Sequence, residues 1–252
     1  MKGKRIIGII GLFLVCCAGA YIGIENELFA LNPLLIPKDS MRGVDISFYQ
    51  GNVDMETLKK QNISFLYMKA TEGTTYTDPL FAQNWKESAA AGLPAGAYHF
   101  FSFHVDGKEQ ARHFLQVMGT DLNGRLIPVV DIEYHHNATL EKEEVIRELT
   151  AFMNEVEQQT GVKPMIYTSP KFFRKYLKGT FDEYPRWMSS LKYPLRWDFS
   201  QDWTVWQYSD QAELSGYDGD EKHIDLNVLH PEKEISDILV KGSDDEASKD
   251  HS

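Results

Sequence analysis

The amino-acid sequence predicts an α/β fold in which a sheet closes into an irregular, TIM-like β/α barrel. Short apolar runs rich in β-branched and aromatic residues alternate with helix-like stretches through the first two thirds of the chain. Such alternation is typical of a parallel sheet. Three further apolar runs follow, but the segments that join them are rich in Pro, Gly and Asp and lack helical periodicity. Eight strands with helices missing late in the chain therefore indicate an irregular barrel.

The predicted strands share a short apolar core and a polar end. They cover residues 43–49, 63–70, 94–101, 126–133, 164–168, 186–190, 203–208 and 223–228. Helix start signals lie at Asp78-Pro79 and at Asp106, which has Glu109 three positions later. The clearest helix covers residues 140–160, where apolar residues recur at three-to-four spacing and Gly161 marks the end.

The two ends of the chain differ from this pattern. The first five residues carry three positive charges and precede an apolar run over residues 6–24. Residues 1–24 are therefore expected to be either a cleaved signal peptide or a membrane anchor, since the run is long enough to span a bilayer. We interpret residues 25–41 as a linker, residues 42–241 as the barrel domain, and residues 242–252 as a disordered acidic tail. The barrel is expected to act outside the cytoplasm, secreted or held at the membrane.

Composition excludes some classes of function. The net charge of −11 argues against a broad nucleic-acid-binding surface. The two cysteines, Cys16 and Cys17, both lie in the N-terminal apolar run. The rest of the chain thus cannot use a cysteine nucleophile or a disulfide. We expect a monomer that needs no cofactor.

Two carboxylates end the fourth predicted strand. Asp131 and Glu133 are two positions apart, so a strand directs both to the same face, about 6–7 Å apart along the backbone. Repulsion between neighbouring acids raises one pKa, which leaves one group protonated as a general acid and the other ionised, as glycoside hydrolysis requires. Taken alone, such a pair is more often two solvated acids at a strand end.

The acids on other strands and the residues near the strand ends favour a functional site around this pair. Asp45 ends the first strand and Asp225 lies in the last, and closing a barrel makes these strands neighbours. A charge within an apolar run is costly, so solubility alone explains this pattern poorly. Aromatic and polar residues near strand ends could stack on sugar rings and bond their hydroxyl groups. The candidate substrate-binding residues are Lys69, Glu72, Tyr98, Tyr167, Trp187, Trp206 and Gln207.

Seven ordered motifs resemble those of the family 25 glycoside hydrolases. They are Gly43-Val44-Asp45-Ile46-Ser47, Lys69-Ala70-Thr71-Glu72-Gly73, Gly96-Ala97-Tyr98-His99-Phe100, Asp131-Ile132-Glu133, Ile166-Tyr167-Thr168, Trp206-Gln207-Tyr208-Ser209 and Ile224-Asp225-Leu226-Asn227. The resemblance covers residues 43–229 and implies a β/α barrel of eight strands and about five helices. It also implies a lysozyme that hydrolyses the β-1,4 bond after N-acetylmuramic acid in peptidoglycan.

The resemblance also implies residue roles. Glu133 would be the general acid and Asp131 would assist the substrate acetamide, while Asp45 and Asp225 would complete an acidic cluster. The segment 186–191 departs from the family pattern, Trp-x-Ala-x-Tyr, so glycan contacts there are expected to differ.

Three alternatives compete with this hypothesis. A chitinase-like barrel usually carries a longer acid series, Asp-x-x-Asp-x-Asp-x-Glu, and apolar residues occupy the places of its two earlier aspartates. A barrel that binds wall glycan without cleaving it is the main alternative function. A metal site at His135-His136 is disfavoured, because adjacent residues of an extended segment point to opposite sides.

Overall fold

The computed structural model describes residues 31–134, 140–195 and 202–241. The predicted signal or anchor, the predicted acidic tail and the His135-His136 pair lie outside the described residues. Within the described ranges, no helix is both long and apolar enough to cross a membrane.

Nine strands form one sheet, and eight of them close into the predicted barrel. The strands are β1 (Arg42–Ile46), β2 (Ile63–Glu72), β3 (Tyr76–Thr77), β4 (Ala95–Phe100), β5 (Val129–Asp131), β6 (Met165–Thr168), β7 (Arg186–Ser189), β8 (Val205–Ala212) and β9 (Ile224–Leu229). The order β1-β9-β8-β7-β6-β5-β4-β2 is closed by pairing of β1 with β2, while β3 only extends the end of β2. The predicted fold class is thus confirmed.

The last strand runs antiparallel to the other seven strands of the barrel. β9 pairs antiparallel with both β8 and β1, whereas the other barrel pairs are parallel. The parallel sheet was predicted from the alternation of strands and helices earlier in the chain, and β9 departs from it. The reason lies in residues 213–223, which join β8 to β9 without the helix that a parallel crossover needs. As a result, the beginning of β9 lies at the barrel end where the parallel strands finish.

Helices cover the outer face of the barrel. They are α1 (Asn32–Leu35), α2 (Met55–Lys60), α3 (Phe81–Ala90), α4 (Gly107–Met118), α5 (Lys142–Thr160) and α6 (Pro170–Phe172), and α6 continues into a π-helical turn (Phe173–Leu177). The cap at Asp106 is confirmed, since its carboxylate accepts from the backbone N–H of Glu109 at 2.9 Å. Gly161 ends α5 in the left-handed conformation, as predicted.

The predicted start of α3 at Asp78-Pro79 is wrong. Leu80 is the N-cap of α3, and the buried Asp78 carboxylate instead accepts from the backbone N–H groups of Phe48 and Leu80. Asp78 therefore ties the loop after β1 to the start of α3.

The barrel interior is filled with side chains, so it is a core and not a channel. Phe65 and Tyr67 of β2 fill it beside two glycines on neighbouring strands. A Cβ atom at Gly43 would lie 2.2 Å from the Phe65 ring, and one at Gly96 would lie 2.3 Å from the Tyr67 ring. Glycine is thus required at both positions, and polar chemistry is confined to the barrel end above these rings.

The second half of the predicted linker packs on the barrel. Asn32, in α1, is fully buried, and its amide nitrogen lies 2.8 Å from the carbonyl oxygen of Ser190 and 2.6 Å from that of Leu191. The carbonyl oxygen of Tyr208 accepts from the same nitrogen at 3.2 Å. These bonds hold α1 against β8 and against the residues that follow β7. The interpretation of residues 25–41 as a linker did not predict this contact.

We predict that Asn32→Ala lowers the free energy of unfolding by about 1–3 kcal/mol, because it leaves buried carbonyl groups without a donor. Urea unfolding of the full chain, followed by intrinsic fluorescence, measures this change. Asn123→Ala, at an exposed turn position, is the control and should unfold at the wild-type urea concentration. Equal stability of both variants would contradict a structural role for the packing of α1 on the barrel.

Candidate active site

The upper end of the barrel gathers polar side chains from several strands. Strand alternation directs Asp45 inward, because its neighbours Val44 and Ile46 pack under the helices. Asp131 and Tyr167 occupy paired positions of β5 and β6 at the same end. Asp45 and Asp225 are direct register partners across β1 and β9. Because β9 is antiparallel, Asp225 lies near the beginning of its strand and still reaches the barrel end where Asp45 and Asp131 lie near the ends of their strands.

Two buried amide side chains hold the Asp45 and Asp225 carboxylates together. The Gln207 amide nitrogen donates to Asp45 Oδ2 at 3.1 Å and to Asp225 Oδ2 at 3.2 Å. The Asn227 amide nitrogen donates to Asp45 Oδ2 at 2.7 Å. The pair therefore lies in a fixed arrangement with donors aimed at both groups.

The orientation of each amide is fixed from behind. The indole N–H of Trp187 can only donate, and it lies 2.8 Å from the Asn227 side-chain oxygen, so the Asn227 nitrogen must face Asp45. The hydroxyl groups of Tyr167 and Ser189 donate to the Gln207 side-chain oxygen at 2.8 and 3.0 Å. These donors lie deeper in the barrel than the acids, and they keep the amide nitrogens of Asn227 and Gln207 directed at the carboxylates.

Burial and mutual repulsion change the proton affinity of this pair. Burial raises the pKa of Asp45, while the hydrogen bonds from Asn227 and Gln207 oppose that rise. Burial and the charge of Asp45 raise the pKa of Asp225 to about 9. Since the amides stabilise the ionised form of Asp45, Asp225 carries the shared proton at neutral pH.

Asp131 is the most isolated acid of the cluster. It is 9% exposed, and its Oδ1 atom has no hydrogen-bond partner among the described residues. Burial and then the charges of Glu133 and Asp45 raise its pKa well above the ordinary range, and Lys69 opposes this. Glu133 follows two residues later, beyond the end of β5, and remains partly exposed. Its charge also raises the pKa of the buried Tyr167 phenol, so Glu133 faces the same space.

An open cleft of about 410 Å³ adjoins the acid cluster. Asp45 and Asp225 line its floor, and Tyr49, Gln50 and Tyr98 form part of its wall. The Tyr49 ring is 57% exposed, which leaves a flat apolar face available for stacking on a sugar ring. Burial, with the nearby carboxylates, raises the pKa of Tyr98 and keeps its hydroxyl group neutral.

Lys69 and Glu72 form a polar pair at the edge of the site. The Lys69 ammonium lies 2.7 Å from a Glu72 carboxylate oxygen and 4.8 Å from the centre of the Phe100 ring. Lys69 is the cation that most lowers the pKa of Asp131, so the pair balances part of the acidic charge.

Two of the predicted substrate-binding residues lie elsewhere. Trp206 is on the outer face of the sheet, 6% exposed, and donates to the carbonyl oxygen of Ser190 at 2.9 Å. Because Gln207 points inward, strand alternation directs Trp206 outward, and the structure does not bring Trp206 to the acid cluster. Trp187 points inward but lies one layer below, 1% exposed and 4.9 Å from the Tyr67 ring. It therefore supports the site without reaching the cleft.

Asn227 and Ser189 belong to the site but are not among the site residues predicted from the sequence. Asn227 lies two positions after Asp225 and Ser189 two positions after Trp187, so each shares the inward face of its strand. The period of two along a strand was the signal that could have identified them.

We predict that Asp225→Asn stabilises the fold at neutral pH by about 1–3 kcal/mol. A carboxyl group whose pKa is raised from 3.8 to about 9 on folding binds more protons in the folded state between these values. Its contribution to stability is thus full below about pH 4 and is lost as the pH rises through this range. Urea unfolding at pH 5, 7 and 9 should show a stability gain that grows with pH. If Asp225→Asn were as stable as the wild type at pH 5 and less stable than the wild type at pH 9, Asp225 would not carry the shared proton.

Comparisons with known proteins agree with this geometry. Residues 44–217 match the sequence profile described as "Glycosyl hydrolases family 25". The chain is 33% identical over 208 residues to "Uncharacterized protein YegX" of Escherichia coli (strain K12), covering 81% of this chain and 74% of that protein. It is 29% identical over 192 residues to "Lysozyme M1" of Streptomyces globisporus, covering 71% of this chain and 65% of that protein.

A solved structure shares the same architecture. The structure of a family 25 glycosyl hydrolase from Bacillus anthracis superposes with a TM-score of 0.72 at 34% identity, covering 81% of this chain and 96% of that chain. With its acids gathered at the open end of an eight-stranded barrel, the chain belongs to family 25 of the glycosyl hydrolases.

Proposed function

We propose that the protein is a lysozyme-type hydrolase that cleaves the β-1,4 bond between N-acetylmuramic acid and N-acetylglucosamine in peptidoglycan. Family membership makes it a glycoside hydrolase, and relatives named "Lysozyme M1" and "N,O-diacetylmuramidase" support the muramidase activity. The observation that carries the proposal is the buried Asp131 carboxyl group beside Glu133, with one oxygen that no described residue satisfies.

Glu133 is the proposed general acid. It lies at the open end of the barrel, partly exposed, where a glycosidic oxygen can reach it. Transfer of its proton to that oxygen, as the bond to the anomeric carbon breaks, removes the need to expel an alkoxide. The resulting carboxylate then takes a proton from the water that completes hydrolysis.

Asp131 is proposed to hold the acetamide group of the sugar. In this proposal the acetamide N–H donates to Asp131 Oδ1, and the acetamide oxygen attacks the anomeric carbon while the glycosidic bond breaks. Water then attacks the same carbon, and the acetamide is restored. Two displacements at one carbon predict retention of configuration.

The charge state of Asp131 follows from its neighbours. The charge of Glu133 raises the pKa of Asp131, and this repulsion disappears when Glu133 carries the proton. A donated acetamide N–H and the Lys69 ammonium both favour ionised Asp131. Substrate binding therefore selects the state in which Glu133 is the acid and Asp131 is the acceptor.

The proposal also gives roles to the other residues at the cleft. Tyr98 and Tyr167 offer neutral hydroxyl groups, and Lys69 with Glu72 offers a polar edge for sugar hydroxyls. Peptidoglycan lies outside the cytoplasmic membrane, so we propose that the barrel acts there, whether residues 1–24 are cleaved or remain as an anchor.

We predict that Glu133→Gln lowers kcat at least 100-fold while binding of glycan and thermal stability stay near wild type, because only the transferable proton is lost. Asp131→Asn should lower kcat by about 100- to 1000-fold, since an amide cannot stabilise the developing positive charge. Release of reducing ends from purified peptidoglycan measures both effects. Glu232→Gln, an exposed acid beyond the far end of β9, is the control. Wild-type turnover by Glu133→Gln would exclude it as the acid.

We further predict that the products carry muramic acid at their reducing ends and retain the β configuration. Mass spectrometry of the released fragments identifies the terminal sugar, and proton NMR at early times identifies the anomer. Purified chitin should stay uncleaved. Cleavage of chitin would favour the chitinase-like alternative, and binding of peptidoglycan without cleavage would favour a barrel that only binds glycan.

A further inference from the structure

A basic surface lies on the barrel rim near Glu133. We call it the basic ledge, and its members are Lys171, Arg174, Lys175 and Lys178. All four are exposed, whereas the aromatic and apolar residues between them are buried. Spacings of three, four and seven residues place the four cations on one side of α6 and its π-helical turn.

The fold holds this ledge close to the proposed acid. α6 follows β6 almost directly, and β6 pairs in parallel with β5, so the ledge begins at the same barrel end as Asp131 and Glu133. Tyr134, the residue after Glu133, packs edge-on against Phe172 with ring centres 5.0 Å apart. Tyr134 also contacts Tyr176 with ring centres 6.0 Å apart, so the ledge and the acid are joined through the Tyr134 ring.

Two of the ledge cations converge on Tyr134. The ammonium groups of Lys171 and Lys175 each lie 5.9 Å from the centre of its ring. Within the part of the chain that the structure describes, neither forms an ion pair with a carboxylate. Lys175 also forms a hydrogen bond with Tyr176. Neither of these aromatic contacts neutralises a positive charge, so both ammonium groups can attract an anion that approaches beside the Tyr134 ring.

The ledge contrasts with the charge of its surroundings. The chain has a net charge of −11, and the same barrel end gathers Asp45, Asp131, Glu133 and Asp225, of which Asp45 and Asp225 line the cleft. Lys69, the cation within the site, is already paired with Glu72. This acidic barrel end repels an anionic substrate unless a positively charged surface binds the anionic groups of that substrate.

We propose that the basic ledge binds the carboxylates of the peptide stems that peptidoglycan carries on its muramic acid residues. The inference rests on the proposed function, because the stems hang from the sugar next to the bond that Glu133 would cleave. Stems are flexible and their carboxylates vary in position. Lysine ammonium groups suit such anions, since they act as mobile point charges without a fixed fork geometry.

An anionic membrane surface fits the ledge less well. Amphipathic segments that bind membranes expose apolar side chains beside their cations. Here Phe172, Phe173, Tyr176 and Leu177 are turned into the protein core. The segment therefore offers charge alone, which fits a soluble anionic polymer held in place by the neighbouring cleft.

The test compares two substrates that share the same glycan. Purified peptidoglycan keeps its stems. A muramoyl-alanine amidase hydrolyses the amide that joins each stem to the lactyl group, which releases the stem and leaves only the lactyl carboxylate next to the sugar ring. In the full-length chain, Lys171→Gln/Lys175→Gln should lower the ratio of kcat/KM for stem-bearing over stem-free glycan by roughly three- to tenfold. The effect should vanish near 1 M salt, where the Debye length is about 3 Å. Lys38→Gln/Lys86→Gln, with the same loss of charge at exposed sites away from the rim, should keep the wild-type ratio.

A binding assay separates this proposal from the catalytic one. In the Glu133→Gln background, co-sedimentation with stem-bearing glycan should weaken when Lys171 and Lys175 are both replaced by Gln, and sedimentation with stem-free glycan should not. This result would support the ledge even if the protein cleaved neither substrate. An unchanged ratio, an equal loss on both substrates, or a loss seen only with anionic lipid vesicles would each overturn the proposal.

Discussion

The pairing of β1 with an antiparallel β9 is the constraint on which the site depends. It closes the barrel and places Asp45 directly opposite Asp225. Had β9 been parallel, the barrel end that holds Asp45 would face the finish of β9, where Val228 and Leu229 lie. The missing helix between β8 and β9 is thus part of how the acidic cluster is assembled.

Holding these acids together is costly, and the surrounding structure offsets the cost. Burial and repulsion both disfavour two ionised carboxylates, so the pair keeps one proton. Gln207 and Asn227 donate to it, and their own orientation comes from Tyr167, Ser189 and Trp187. Trp187 in turn packs against the filled interior of the barrel. The closely packed lower core therefore serves the site above it by keeping those donors in place.

The sequence was sufficient for the strands and for the common location of the four acids at one barrel end, because apolar runs that end in carboxylates leave a strong local signal. It was insufficient wherever the outcome depended on contacts between distant segments. Asn32 in the predicted linker is buried only because carbonyl groups some 160 residues away accept its amide. Trp206 was assigned by residue type, although the inward direction of Gln207 already required it to point outward. The direction of β9 likewise depended on the absence of a helix between β8 and β9. The sequence pattern showed that this helix was missing, but it did not show that β9 would therefore be antiparallel.

The two acid pairs of the cluster differ in how their oxygens are satisfied. Asp45 and Asp225 share a proton and receive amide donors that the fold itself orients, so their arrangement is complete without substrate. Asp131 is also buried and also repelled by a neighbour, yet its Oδ1 receives no donor from the described residues. A buried acceptor without a donor is unfavourable in the free protein and becomes favourable when a ligand supplies the N–H. The first pair therefore builds the floor of the site, whereas Asp131 keeps an acceptor that a bound ligand can satisfy.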